Sequence, residues 1–220
     1  MDKKYTLLEN DTITHNNSTF YRIKAIRDFS NVNIGDIGGY IEKEENLSHD
    51  GDCWVFDNAM ICNNARLLDN AQVSDNACVS DNARVCGDSF VSDNACVSDN
   101  ACMSGNAHVY GDSSISGNAC VTDNAHVCGD AYVSDNACVS GNAHVSGNTC
   151  VCGIAIVSGN ACISDNAYVS GNACVCGVAS VSGNALVTDN AYVSGNTRVS
   201  GNVRVSGNTC VSSGIVTGKQ

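Results

Sequence analysis

The sequence predicts an all-β chain built as a parallel, triangular solenoid, and three observations predict it. From Val55 to Val216 the chain runs in 27 unbroken hexads of the form V-S-[DG]-N-A-x, each opening with Val, Ile, Leu or Met. An aliphatic residue every six, followed four later by a small one, matches neither a helix face nor the alternation of a long half-buried strand. The polar pair between them is turn chemistry, so the chain bends every six residues. Three hexads then make one coil, and a fixed short period of this kind is the signature of stacked repeats.

The segment before the repeat, 1–54, is read as a small β cap. Tyr5–Leu8, Thr19–Arg27 and Gly39–Glu42 read as short strands, with turns at Asn10-Asp11, Asn16-Asn17 and Gly35-Asp36. Tyr21, Ile23, Ile26, Phe29 and Trp54 are expected to bury against the first coil, which is entered through an irregular stretch at Leu47–Asp52.

In the solenoid, 55–216, the aliphatic residue points inward and each buried Val contributes about 1.5–3 kcal/mol against the cost of ordering its hexad. The fifth place is Ala except at Ser89, Ser113, Thr149, Thr197, Val203, Thr209 and Ile215. The fourth is Asn in 21 of 27 hexads, and Asn tolerates left-handed backbone. Five hexads carry Asp88, Asp112, Asp130, Ile154 or Val178 there, each after a Gly, as if the permissive residue had moved by one. Nine coils at about 4.8 Å each give a prism roughly 43 Å long. The tail, 217–220, is too short to cover a coil, and Arg198, Arg204 and Lys219 guard that edge against strand pairing. Proline is absent, as a chain of ladder strands requires.

The phrases V-S-D-N-A-C and V-S-G-N-A-C resemble the hexapeptide repeat of left-handed parallel β-helices, best known from acyltransferases. The resemblance covers 55–216 and implies a left-handed coil. The stretch Tyr21–Ala59 is similar to the N-terminal region of bacterial and phage hexapeptide-repeat proteins of the YdcK type. It implies lineage rather than mechanism, because fold does not fix function.

Residues three hexads apart stack into outward columns. One wall carries Trp54, Gln72, Phe90, His108, His126, His144, Cys162, Ser180 and Arg198; the others begin at Met60 and at Arg66. The His108–His126–His144–Cys162 column is the candidate for a shared metal ion such as zinc. Against it, side chains in register on a flat wall point the same way and close a tetrahedron badly. Asp57, Asp75 and Asp93 stack at one corner and are a weak candidate for calcium. Fifteen cysteines without disulfide spacing or an apolar leader suit a reducing cytoplasm. Cys150/Cys152 and Cys174/Cys176 flank inward valines and are poorly placed for bridges.

Catalysis is not expected, so no catalytic residue and no cofactor is assigned. The hexapeptide resemblance implies acyl transfer with coenzyme A as the alternative. Such enzymes need a loop over the substrate and a histidine base, and no loop interrupts the hexads. Coenzyme A also carries phosphates that call for Lys or Arg. There is neither between Arg84 and Arg198, a stretch holding nine Asp. The net charge of −12 disfavours direct nucleic-acid binding, and no apolar run spans a bilayer. The expected role is a non-catalytic structural or binding rod. Its rigid acidic surface would meet a protein partner, as a duplex mimic among other modes, or further copies of itself as a trimer or end to end.

Overall fold

A computed structural model describes residues 2–15 and 17–218, and it is an all-β parallel solenoid of about ten turns. Strand β1 (Tyr5–His15) pairs antiparallel with β2 (Ser18–Ala25), which pairs antiparallel with β3 (Ile37–Ile41). Strands β4 (Trp54–Val55) to β30 (Cys210–Val211) are two or three residues long, one per hexad, and β31 (Ile215–Thr217) follows. They stack as three sheets in which each strand pairs with the one three further along. Every in-register partner between Trp54 and Val211 lies three full hexads on, as in Phe90↔His108 and Cys102↔Cys120.

The stack is held by one repeated backbone pattern. The second, fourth and sixth residues of a hexad each donate an N–H to the carbonyl one place short of a full coil ahead. Phe56, Asn58 and Met60 do so to Val73, Asp75 and Ala77 at 2.8–2.9 Å. The fifth residue turns back instead, Ala59 N–H bonding the Phe56 carbonyl at 3.1 Å. The exceptional Ser89, Ser113, Thr197 and Thr209 bond the same second-place carbonyl through their hydroxyls, at 2.6–2.8 Å. Thr149 Oγ1 alone is buried without a partner among the described residues. The inward column from Val55 to Val199 is fully buried.

The bend lies one residue earlier than the sequence suggests. From Asp57 to Gly207 the third residue of each hexad, Asp or Gly except at Asn63, has positive φ, between 54° and 81°. The fourth-place Asn does not. The five hexads with Asp88, Asp112, Asp130, Ile154 or Val178 are therefore ordinary at the bend, with Gly in the usual place. Asn is favoured at the fourth place because its side chain stacks: Asn64 Nδ2 donates to Asn82, Asn82 to Asn100 and Asn100 to Asn118, at 3.1–3.2 Å.

Asp at the bend has its own function. The third-place N–H has no carbonyl facing it, and the carboxylate one coil below accepts it. Where the acceptor lies beneath Gly the bond is 2.8–3.0 Å, as for Gly111 on Asp93, Gly141 on Asp123 and Gly183 on Asp165. Where Asp lies beneath Asp the distance stretches to 3.2–3.4 Å, as for Asp75 on Asp57 and Asp93 on Asp75. Two like charges crowd that column, and a Cβ is added where the coils are closest.

The cap departs from expectation in several places. β1 runs through Asn10-Asp11, where a bulge between Leu8 and Thr12 replaces a turn. β2 ends at Ala25, and β3 starts at Ile37. Asn17 has φ 64° and Gly35 φ 96°, so those turns are present, although Asn16 lies outside the described residues. Ile23, Phe29 and Trp54 are buried, but Tyr21 is half-buried and Ile26 is 42% exposed. Tyr5, Phe20 and Val32 take those core places. The coil also begins before Val55. Ile41 and Leu47 are inward and buried, paired with Ile61 and Leu67, and β3 is already a parallel rung. That adds a turn to the nine expected. Gly38 permits this closeness, because a Cβ there would sit 2.6 Å from the Val55 carbonyl and 2.7 Å from Trp54.

Lys4 is the least anticipated core residue. It is fully buried, and its Nζ donates to the carbonyls of Cys53 at 2.8 Å and Gly51 at 3.1 Å, above the Phe29 ring. Burial pulls its ammonium below the usual range, against the pull of Cys53. At the other end the last corner is one residue short: Ile215 pairs with Arg198, and Gly214 carries the positive φ. Lys219 and Gln220 lie outside the described residues. Among the described residues no helix is long and apolar enough to cross a membrane.

Deleting Val133–Cys150, one full coil, leaves every wall and corner in phase. Deleting 133–147 does not. The first variant is expected to retain the β circular-dichroism spectrum and a cooperative melt, and the second to lose both; equal melts would contradict the stacking register.

Candidate functional site

The three outward columns form as the three-hexad spacing dictates. His108, His126, His144 and Cys162 stand in register on successive strands of the Trp54 wall. Phe90, His108 and His126 stack face to face, with centroids 5.4 and 4.9 Å apart and planes within 15°. Parallel rings aim their nitrogens side by side rather than at a common point. His144 breaks the stack, tilted 47° from His126, and its Nε2 lies 3.8 Å from Cys128 Sγ. Partial burial, and then the neighbouring His126, lower the pKa of His108 and His144.

Cys128 reveals a second pattern that the columns alone do not. The second residue of a hexad also faces outward, and it leans on the sixth-place residue two places short of a full coil ahead. Tyr110 packs edge-on against His126 by this diagonal. By the same diagonal the thiols of Cys152 and Cys176 donate to the hydroxyls of Tyr168 and Tyr192, at 3.1 and 3.2 Å. All fifteen cysteines are free, including the Cys150/Cys152 and Cys174/Cys176 pairs. The corner carboxylates of Asp57 and Asp75 are engaged with backbone N–H groups of the next coil, and Ser74 Oγ donates to Asp75. Among the described residues no three His, Cys, Asp or Glu side chains converge as a metal-binding group.

One histidine outside the repeat does have an orienting carboxylate. His49 stacks on Tyr5 at 4.4 Å, its Nε2 lies 2.8 Å from Glu44 Oε1, and its Nδ1 accepts the Lys4 backbone N–H at 3.3 Å. Glu44 also pairs with Lys3, and these bonds hold its carboxyl below the usual range. Both imidazole nitrogens are thereby committed, so no lone pair is left to take a proton from a substrate. Sequence reasoning missed this pair because Glu44 and His49 lie outside any repeat.

The prism also exposes apolar side chains unevenly. Tyr132 and Tyr168 on the Met60 wall, Ile156 and Tyr192 on the Arg66 wall and Ile154 at the corner between them are 39–58% exposed. Asp135 and Asp189 bracket this ridge on the same corner column, with Gly153 and Gly171 between. The clefts, by contrast, gather around the cap and the first coils.

A family model described as YdcK beta solenoid repeat matches residues 71–87 and 197–213. The two matched stretches make up 34 of the 220 residues. The chain itself folds as a parallel β-solenoid built on six-residue repeats. Within that class it is similar to a protein described as "Uncharacterized acetyltransferase YdcK" from Escherichia coli (strain K12), 40% identical over 48 residues. Those residues are 22% of this chain and 15% of that relative's length. The likeness carries the repeat and not a whole-protein alignment.

The histidine column of this hexapeptide-repeat solenoid ties its stability to pH. His108 and His144 have pKa values depressed by folding, so they favour the folded state fully above the unfolded value of about 6.5. That contribution is lost as pH falls through the folded values. The melting temperature is expected to drop as pH is lowered from neutrality through the histidine range, and His108→Gln/His126→Gln/His144→Gln to show a shallower drop. An unchanged slope in thermal melts would refute the assignment.

Proposed function

We propose that this solenoid is a non-catalytic structural or binding rod that presents a rigid acidic surface to a protein partner or to further copies of itself. The observation that carries this reading is the unbroken stack: from Trp54 to Val211 no segment leaves the prism to wall a substrate. His108 and His126 stack on one another, His144 leans to Cys128, none of the three has a carboxylate partner among the described residues, and His49 has no free nitrogen. The surface between Arg84 and Arg198 carries corner carboxylates and no cation, which repels an anionic cofactor. The Tyr132–Tyr192 ridge, bracketed by Asp135 and Asp189, gives such a rod a face with both apolar and acidic character. Fifteen free cysteines support a reducing cytoplasmic setting.

The second reading is acyl transfer from coenzyme A, favoured by the printed name of the Escherichia coli relative. It needs a basic phosphate site and a free base, which would have to come from the cap and first coil, where Lys43, Arg66 and Glu42 line clefts. Calorimetric titration with coenzyme A and acetyl-coenzyme A separates the two. The rod reading predicts no binding at micromolar concentration. Micromolar binding that is lost on Lys43→Ala/Arg66→Ala would establish the transferase reading instead.

A further inference from the structure

The large apolar side chains that the coils leave in solvent are gathered in one region. Between Val55 and Val211 they are Tyr132, Ile154, Ile156, Tyr168, Val178 and Tyr192. The Arg66 wall runs from the corner that carries Ile154 to the corner that carries Val178, and Ile156, Cys174 and Tyr192 stand in register between them. The Cys176 thiol donates to the Tyr192 hydroxyl at 3.2 Å. That bond holds the ring on the wall in advance of any contact, which lowers the ordering cost of binding.

The fold does not require the two corner aliphatics. From Asn58 to Asn208 the fourth place is Asn or Asp in every other hexad. On one corner the side-chain ladder from Asn64 to Asn136 stops at Ile154 and resumes from Asn172 to Asn208. On the next corner the ladder from Asn106 to Asn160 stops at Val178. The backbone is indifferent to the change: Ile154 and Val178 donate their N–H groups to Gly171 and Gly195 at 2.7 and 3.0 Å. Each aliphatic gives up ladder hydrogen bonds and stands exposed, a cost that contact with another molecule offsets.

Size and charge point to the occupant. The strip from Ile156 to Tyr192 spans two coil spacings, about 10 Å, and one α-helix is about 10–12 Å wide. Asp135 and Asp189 bracket the strip on the Ile154 corner, three spacings or about 14 Å apart. Both are exposed, and each lends Oδ2 to a glycine N–H of the next coil. Neither has an ion-pair partner among the described residues. No Lys or Arg lies between Arg84 and Arg198, so a second copy turned onto the same face brings only like charge. Anionic membranes and nucleic acids are repelled for the same reason. We propose that the Arg66 wall between the Ile154 and Val178 corners binds a basic amphipathic helix of a partner protein. The apolar face of that helix lies on Ile154, Ile156, Val178 and Tyr192, and a Lys or Arg from each flank reaches Asp135 and Asp189. The site rests on the binding-rod reading and names the partner's chemistry.

The test is fluorescence anisotropy of a labelled helical peptide with leucines on one face and lysines on both flanks, titrated with the reduced full-length chain at several salt concentrations. Ile154→Asn/Val178→Asn restores the corner ladders. It is expected to keep or raise the melting temperature while weakening binding about tenfold or more. Asp135→Asn/Asp189→Asn is expected to weaken binding and flatten its salt dependence. Asp93→Asn/Asp165→Asn, on the corner opposite this wall, removes equal charge and is expected to leave binding unchanged. Peptides with glutamates on the flanks, or with serines in place of leucines, are expected not to bind. Equal weakening in the two aspartate pairs would mean general attraction of a cationic peptide to an acidic chain and would overturn the proposal. Unchanged binding in Ile154→Asn/Val178→Asn, or no binding by the wild type, would overturn it as well. Sedimentation of the chain alone reads the other occupant: a dimer abolished by Ile154→Asn/Val178→Asn would assign the face to a second copy and overturn the helix. None of these failures touches the rod reading, which the coenzyme A titration decides separately.

Discussion

Everything in this molecule depends on closing each coil through a left-handed residue, which from Asp57 to Gly207 stands at the third place of every hexad. Left-handed backbone costs an ordinary residue about 1–2 kcal/mol and Gly almost nothing. Asp is admitted because its carboxylate accepts the third-place N–H of the coil above, which has no other partner facing it. Gly removes the steric cost, and Asp accepts a hydrogen bond while still tolerating the bend. The columns mix them, and the bonds are shortest where Asp lies under Gly. Acidity then follows from backbone geometry: ten of the carboxylates that make the chain anionic stand at left-handed corners, eight from Asp57 to Asp135 and then Asp165 and Asp189. The negative surface is in the first instance a consequence of how the coil turns.

Regular stacking also explains why the walls are chemically quiet. In-register side chains project in parallel, so a column of histidines becomes a ring stack and a column of cysteines a row of separate thiols. Convergence needs a departure from the three-hexad step. The wall diagonal supplies one, bringing Cys128 to His144 and Cys152 to Tyr168. The cap supplies another. There His49 finds Glu44, and Lys4 finds acceptors at Gly51 and Cys53. Sites in this chain arise where the repeat is broken or crossed.

The walls, the inward column and every in-register pair were legible in the hexad, because a fixed period with one buried face determines register. The position of the bend was not. Asp, Asn and Gly all tolerate positive φ, so composition could not say which of two adjacent places adopts it; Asn64 and Asn82 were chosen for stacking instead. The cap was legible only in outline, since Lys4 reads as a surface residue until Gly51 and Cys53 are folded over it, and Ile26 reads as core until Tyr5 and Phe20 fill the space.

The most direct test of the left-handed, carboxylate-capped corner is amide hydrogen exchange at third-place glycines, followed by NMR with glycine-selective labelling. Gly111, Gly117, Gly141 and Gly153 lie above Asp93, Asp99, Asp123 and Asp135, with N–H to carboxylate distances of 2.9–3.0 Å. Gly129, Gly147, Gly171 and Gly177 lie above other glycines and have no such acceptor. Slower exchange in the first set than in the second is the predicted result. Uniform exchange across both sets would contradict it.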